Sequence, residues 1–146
     1  MVNVNTDKLL DDKVTEQAYN LIRRLYSNPH GYTIDIDRDK VVEDSKGYVV
    51  GINIGVAVAQ NEIMTDVVTV VNKLKRVLRA FPEAKATINN PVYMGAWKDN
   101  DTQLVHFDIV QVEDDKEKAL DFAVKDNQKA IYDLEKQEVI EVKGEK

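Results

Sequence analysis

The sequence predicts an α+β fold: a mainly antiparallel sheet with two or three packed helices, in the order α-β-β-α-β-β-β-α-β-β. Three observations carry that prediction. Apolar residues recur every three or four positions in two long segments, as the buried stripe of a helix requires. In several short segments they alternate with polar residues, as a half-buried strand requires. Most of those short segments are joined by connections too brief for a parallel crossover, so neighbouring strands run antiparallel.

Taken in order, residues 6–27 place Leu10, Val14, Ala18, Leu21, Ile22 and Leu25 on one helical stripe, and Pro29-His30-Gly31 stops it. This first helix is expected on the outside of the domain or in a subunit interface. Tyr32, Ile34 and Ile36 alternate with Thr33, Asp35 and Asp37, a half-buried strand, and the charged run Arg38 to Lys46 follows as a loop or hairpin. Tyr48, Val50, Ile52 and Ile54 form a second strand. Gly51 and Gly55 on its other face predict a bulge or a close backbone approach.

Ile63, Val67, Val70, Leu74, Val77 and Phe81 predict a helix over 61–81, in which burial outweighs the poor propensity of its β-branched residues. Pro82 is expected to end it. Thr87 and Ile88 read as a short strand. Segments 93–98 and 103–112 pair around Asp99-Asn100-Asp101-Thr102, with Val105, Phe107 and Ile109 on one face and His106 and Asp108 on the other. Asp114-x-x-Glu117 reads as a capping box opening a helix that buries Ala119, Phe122 and Ala123, and Asn127 as its left-handed end. Two last strands, 129–134 and 138–142, join through Glu135-Lys136-Gln137. Ala130, Tyr132 and Leu134 alternate with Ile131 and Asp133, which suits a central strand, and Asp133 is placed to accept backbone N–H groups from the next turn. With no linker, low-complexity tract or repeat, residues 1–146 read as a single domain.

Composition narrows the function. The net charge is −6, from 26 acidic and 20 basic residues. That balance argues against a general nucleic-acid or anionic-membrane partner, since phosphates are held mainly by Lys and Arg. There are no cysteines, so disulfides, thiolate nucleophiles and cysteine-ligated metals are excluded. No apolar leader opens the chain and no run reaches the roughly 18 apolar residues of a membrane span, so a cytoplasmic location is expected.

His106-x-Asp108 is the sharpest catalytic-looking pair. Positions i and i+2 of a strand share a face, so imidazole and carboxylate project together, about 6–7 Å apart at the backbone. General-base chemistry needs a third partner, which spacing does not name, so the plainer reading is two polar residues on an exposed face. Tyr93 and Trp97, on one face of their strand, are the recognition candidates. A lone Trp in a small α+β domain is more commonly core, and core is the expectation here. The acidic pairs Asp35/Asp37, Asp99/Asp101 and Asp114/Asp115 read as turn and cap residues, so no metal site and no cofactor is expected. Lys73, Lys75, Arg76 and Arg79, with Arg23-Arg24, read as solvated helix faces.

Gly95-Ala96-Trp97, Asp108 near the end of the next strand, and Asp126-Asn127-Gln128-Lys129-Ala130-Ile131-Tyr132-Asp133-Leu134 followed by Val139 to Val142 resemble a pattern of small uncharacterised proteins of bacteriophages and mobile elements. The strand Gly47 to Gly55 resembles that group too, so the likeness spans roughly residues 31 to 142. Ala96 stands where the group usually has Gly. The resemblance implies a prophage or mobile-element origin and carries no activity to particular residues.

Together these readings point to a non-catalytic, acidic, protein-binding module, a modulator or inhibitor of a host system. A homo-oligomer is the second expectation for partners. Two alternatives stand beside it: a small-molecule-binding protein or hydrolase using the His106/Asp108 face with Trp97 as a wall, and a nucleic-acid accessory protein using the 73–79 cluster.

Overall fold

A computed structural model describes residues 2–42 and 46–142. Among them are four helices and seven strands, and all seven strands join one antiparallel sheet. Helix α1 (Val2–Ser27) leads into β1 (Gly31–Asp35), β2 (Lys40–Val41) and β3 (Tyr48–Ala59); helices α2 (Gln60–Thr65) and α3 (Val67–Thr87) follow. Then come β4 (Val92–Asp99), β5 (Leu104–Glu113), α4 (Lys116–Lys125), β6 (Ala130–Asp133) and β7 (Glu138–Glu141). The spatial order is β2-β1-β4-β5-β3-β6-β7, so the β4–β5 hairpin lies between strands that precede it in the chain.

The stripes read in the sequence build the main core. Ala18, Leu21 and Ile22 of α1 and Val70, Leu74, Val77, Leu78 and Phe81 of α3 pack on Ile34, Val58, Met94, Ala96, Val105, Phe107 and Ile109 of the sheet. A smaller cluster sets Ala119 and Ala123 of α4 on Val50 and Ile131. Val50 is paired with Gln111, which by alternation shares a face with Val105, Phe107 and Ile109, so α4 lies on the same side as α1 and α3. The other side carries a third cluster with no helical member. There Val49, Val110, Val112 and Leu134 are flanked by Val42, Tyr93 and Tyr132.

Local chemistry explains the departures from expectation. Helix 61–81 is two helices broken at Asp66. The Asp66 N–H closes α2 on the Glu62 carbonyl, and its carboxylate caps α3 through the Thr69 backbone N–H and hydroxyl. Pro82 does not end α3, which runs on to Thr87, so the short strand at Thr87-Ile88 is absent and Ile88 closes the helix on the Ala84 carbonyl. The cap of α4 is Asp115, one residue beyond the expected Asp114, and accepts from the Glu117 and Lys118 N–H groups.

Other details agree. Asn127 has φ +57°, and Asp133 accepts from the Glu135 and Lys136 N–H groups. The β3–β5 register shifts between Gly51 and Gly55, with Asn53 in the left-handed region at φ +65°. Strand β6 is flanked on both sides, yet it lies one strand in from the β7 edge. Part of the connection expected at 38–46, residues 43–45, lies outside the described residues.

Helix α1 is fixed to the sheet and to α3 at separate points. The buried Tyr32 hydroxyl donates to the Leu21 carbonyl, at 2.5 Å, and burial pushes that phenol far above its ordinary range. Asp11 meets Lys75 at 3.0 Å and Arg79 at 2.6 Å, and these hydrogen bonds hold its carboxyl below the usual value. Toward its N-terminus α1 exposes Leu9 and Leu10, 68% and 58% accessible, so the predicted stripe packs on the core from Val14 onward and leaves Leu10 outside it. No helix among the described residues is long and apolar enough to cross a membrane.

Candidate functional site

The register of the central strands assembles the site. Trp97 of β4 is paired with His106 of β5, which is paired with Ala57 of β3; Gly95 is paired with Asp108, which is paired with Gly55. All six positions share the helix-free face, because β5 turns Val105, Phe107 and Ile109 to the core and His106 and Asp108 away from it. The sequence reading of His106 and Asp108 on one face therefore holds.

Trp97 is not core. It is 45% accessible, and its ring stacks on the His106 ring with centroids 4.3 Å apart and planes 10° from parallel. The core expectation fails because the four described helices all lie on one side of the sheet, leaving the other face of β4 without a helical layer to bury it. Tyr93 is on that face but away from the stack, half-buried in the cluster of Val49, Val110 and Val112. Of the four binding candidates, the fold brings Trp97, His106 and Asp108 together and gives Tyr93 a packing role.

Asp108 is flanked by two glycines. A Cβ built on Gly55 would be 2.0 Å from the Asp108 Oδ1, so the carboxylate leans over β3 in the space that a side chain would otherwise fill. Burial pushes its carboxyl above the ordinary range, and the neighbouring His106 and the Trp97 indole pull it back only in part. Asp99 completes the group at the end of β4; it accepts the Asp101 N–H at 2.9 Å, and this bond, then the hydrogen bonds from Thr102 and least of all the nearby His106, lower its carboxyl. A hollow of about 190 Å³ opens here between Asn53–Ala57 of β3, His106, Asp108 and Gln128. The Gln128 side chain closes one end by lying against Gly51.

Sequence reasoning missed Gly55, Asn53 and Gln128 as walls of this hollow. The Gly51/Gly55 pair was the available signal, since glycines on one strand face mark where another group lies close. His30, remote in sequence from His106, comes to the same end of the sheet, where its carbonyl accepts the Lys98 N–H and Gly31 is paired with Trp97. No group of three or more metal-ligating side chains is found among the described residues.

Among the described residues, five of the six basic helix residues, all but Arg76, have ion pairs with acids of other segments. Lys75 and Arg79 meet Asp11, Lys73 meets Glu62 at 3.6 Å, and Arg23 and Arg24 meet Asp39. A larger groove of about 360 Å³, lined by Asp37, Phe81, Pro82, Lys85 and Ala86, is bridged by the Lys85–Asp37 pair.

What the arrangement can do follows from its parts. The stacked rings offer an apolar, partly exposed platform, and beside them Asp108 offers negative charge in a partly dehydrated setting and Asp99 a solvated one. Such a surface is suited to holding a cationic or amphipathic group. An Asp108→Asn change tests the cost of keeping that acid. Wild type carries the full penalty of the raised carboxyl above its folded-state pKa and none below the unfolded-state value near 3.8. The asparagine variant is therefore expected to be more stable than wild type at pH 7, the gain vanishing as the pH falls below that range. Denaturant titrations at pH 7 and pH 3 check it.

No family model matches this sequence, and no curated protein or solved structure matches it either.

Proposed function

We propose that the chain is a non-catalytic protein-binding module, a modulator or inhibitor of a host system in a bacteriophage or mobile-element setting. One observation carries the reading: the exposed Trp97–His106 stack beside half-buried Asp108, on a sheet face that none of the described helices covers. An exposed Trp next to a desolvated charge is the composition of an interface hot spot. The hollow at 190 Å³ is smaller than the usual enclosed small-molecule site, which supports a surface contact over an engulfed substrate. Its lining of Asn, Ile, Gly, Val, Ala, His, Asp and Gln contains no hydroxyl, thiol or amine nucleophile. Engagement of Lys73, Lys75 and Arg79 by acids weighs against a phosphate-binding surface on α3.

The test is affinity capture from host lysate with wild type and Trp97→Ala in parallel. Because Trp97 is nearly half exposed, the variant is expected to keep its fold to within about 1 kcal/mol. A partner bound through this face should be lost by about thirtyfold, roughly 2 kcal/mol. Identical capture by both proteins would sink the reading. Self-association through the exposed Leu9 and Leu10 of α1 belongs to the same proposal, and light scattering that gives the monomer mass at every concentration removes that part.

A second reading, a small-molecule-binding protein or hydrolase on the His106/Asp108 face, is favoured by the raised carboxyl of Asp108 next to an imidazole. It requires a ligand that protects His106 while lysate capture remains indifferent to Trp97.

A further inference from the structure

Strand β3 is twelve residues long, but β6 pairs with Tyr48 and Val49 alone. Beyond them, no backbone partner on the outer side of β3 is found among the described residues. The direction of each backbone group follows from the end of the strand. The Gln60 N–H donates to the Gln103 carbonyl, on the β5 side, whereas the Ala59 N–H donates to the Glu62 carboxylate. Alternate residues of an antiparallel strand address opposite neighbours. Ala59, Ala57 and Gly55 therefore turn their N–H and C=O groups outward, and among the described residues the latter two meet no acceptor or donor there.

This edge is also unguarded. From Gly51 to Ala59 there is no charged residue and no proline. The sheet's two terminal strands are protected: β7 carries Glu138 and Glu141, and β2 is two residues long and begins with Lys40. Natural sheets blunt their free edges in these ways, and an unprotected one is a pairing template.

We propose that the outer edge of β3 around Gly55 and Ala57 takes an extended segment of a partner protein as an added strand, with a Lys or Arg of that segment lying across Gly55 onto Asp108. The inference rests on the protein-binding reading above and names the kind of partner. An added strand runs about 4.8 Å outside β3. The Asp108 carboxylate already overhangs Gly55, so a side chain opposite Gly55 has roughly that distance to cross, within the span of Lys or Arg and beyond that of Ser or Ala. Gly55 and Ala57 leave the floor bare, and the Trp97–His106 stack borders it. The net charge of −6 and the acids Asp99 and Asp108 select a basic segment over an acidic one. They also disfavour two-fold pairing of β3 with a second copy, which would bring two acidic faces together.

The experiment pans a displayed library of random heptapeptides against the full chain, then measures amide exchange of the protein with a selected synthetic peptide. The selected sequences should alternate β-branched residues around one Lys or Arg. Binding should slow exchange at Gly55 and Ala57, and Asp108→Asn should weaken it at least tenfold. Ala57→Pro, which removes one outward donor, should abolish it; Ala57→Lys, which places a charge on the edge, serves where the proline variant is poorly folded. Selected peptides that carry no basic residue, or that bind without protecting those amides, overturn the proposal. So does concentration-dependent dimerisation abolished by the Ala57 variants, because the occupant would then be a second copy. Failure to select any peptide overturns it as well, and Trp97-dependent capture from lysate then shows whether the broader protein-binding reading survives.

Discussion

Replacing Phe107 by alanine is expected to lower stability by about 4 kcal/mol and the melting temperature by roughly 10–15 °C. Phe107 is completely buried, and it sits in the cluster where α1 and α3 meet the centre of the sheet. Deleting its ring removes a large apolar surface and leaves a void between elements that other contacts hold apart. The same strand carries His106 and Asp108 on its other side, so the core residue keeps the surface pair in register. Thermal and denaturant melts measure the loss. A change under about 1 kcal/mol would mean that β5 is not packed against the helices as described.

Gly55→Ala is expected to cost about 3 kcal/mol, although the residue is exposed and lies in an edge segment. The added Cβ would be 2.0 Å from the Asp108 Oδ1 and 2.7 Å from the Phe107 carbonyl oxygen. The carboxylate can swing aside, but the carbonyl belongs to the β5 backbone and cannot move without breaking the ladder. Adding Asp108→Ala should therefore restore about 1 kcal/mol and leave the rest, a coupling read from the double-mutant cycle. Gly51→Ala is the control. Its nearest obstruction is the far end of the Gln128 side chain, which can turn away, so that change should cost less than about 1 kcal/mol. Equal losses at both glycines would refute the close approach of Asp108 to β3.

Much of the fold was legible because its signals are local. The periodic stripes of α1 and α3, the alternation in β1, β4 and β5, and the left-handed end at Asn127 each depend on a few neighbouring residues. The break at Asp66 was legible too, in the Asp-x-x-Thr spacing, but the apolar stripe that runs across it from Ile63 to Val67 and Val70 masked the cap. Pro82 misled for a physical reason. A proline is poorly tolerated where its missing N–H and its ring disturb the preceding turn, yet burial of Phe81 and Ala84 on either side holds α3 together past it. The candidate site was half legible. The alternation of β5 placed His106 with Asp108, whereas the stacking of Trp97 depends on cross-strand register. The exposure of that stack depends on which face the helices leave bare, and neither is written in any short segment.

The position of the β4–β5 hairpin between β1 and β3 has a consequence for synthesis. A chain made from its N-terminus completes β1 and β3 before the two strands that separate them exist. β1 lacks its β4 partner until about residue 99 has emerged from the ribosome, and β3 lacks β5 until about residue 113. Their apolar faces then have α1 and α3 as cover and little else. Closure of the sheet is thus deferred to late translation. During that interval the nascent chain is at its most prone to aggregation, and most in need of a holding chaperone.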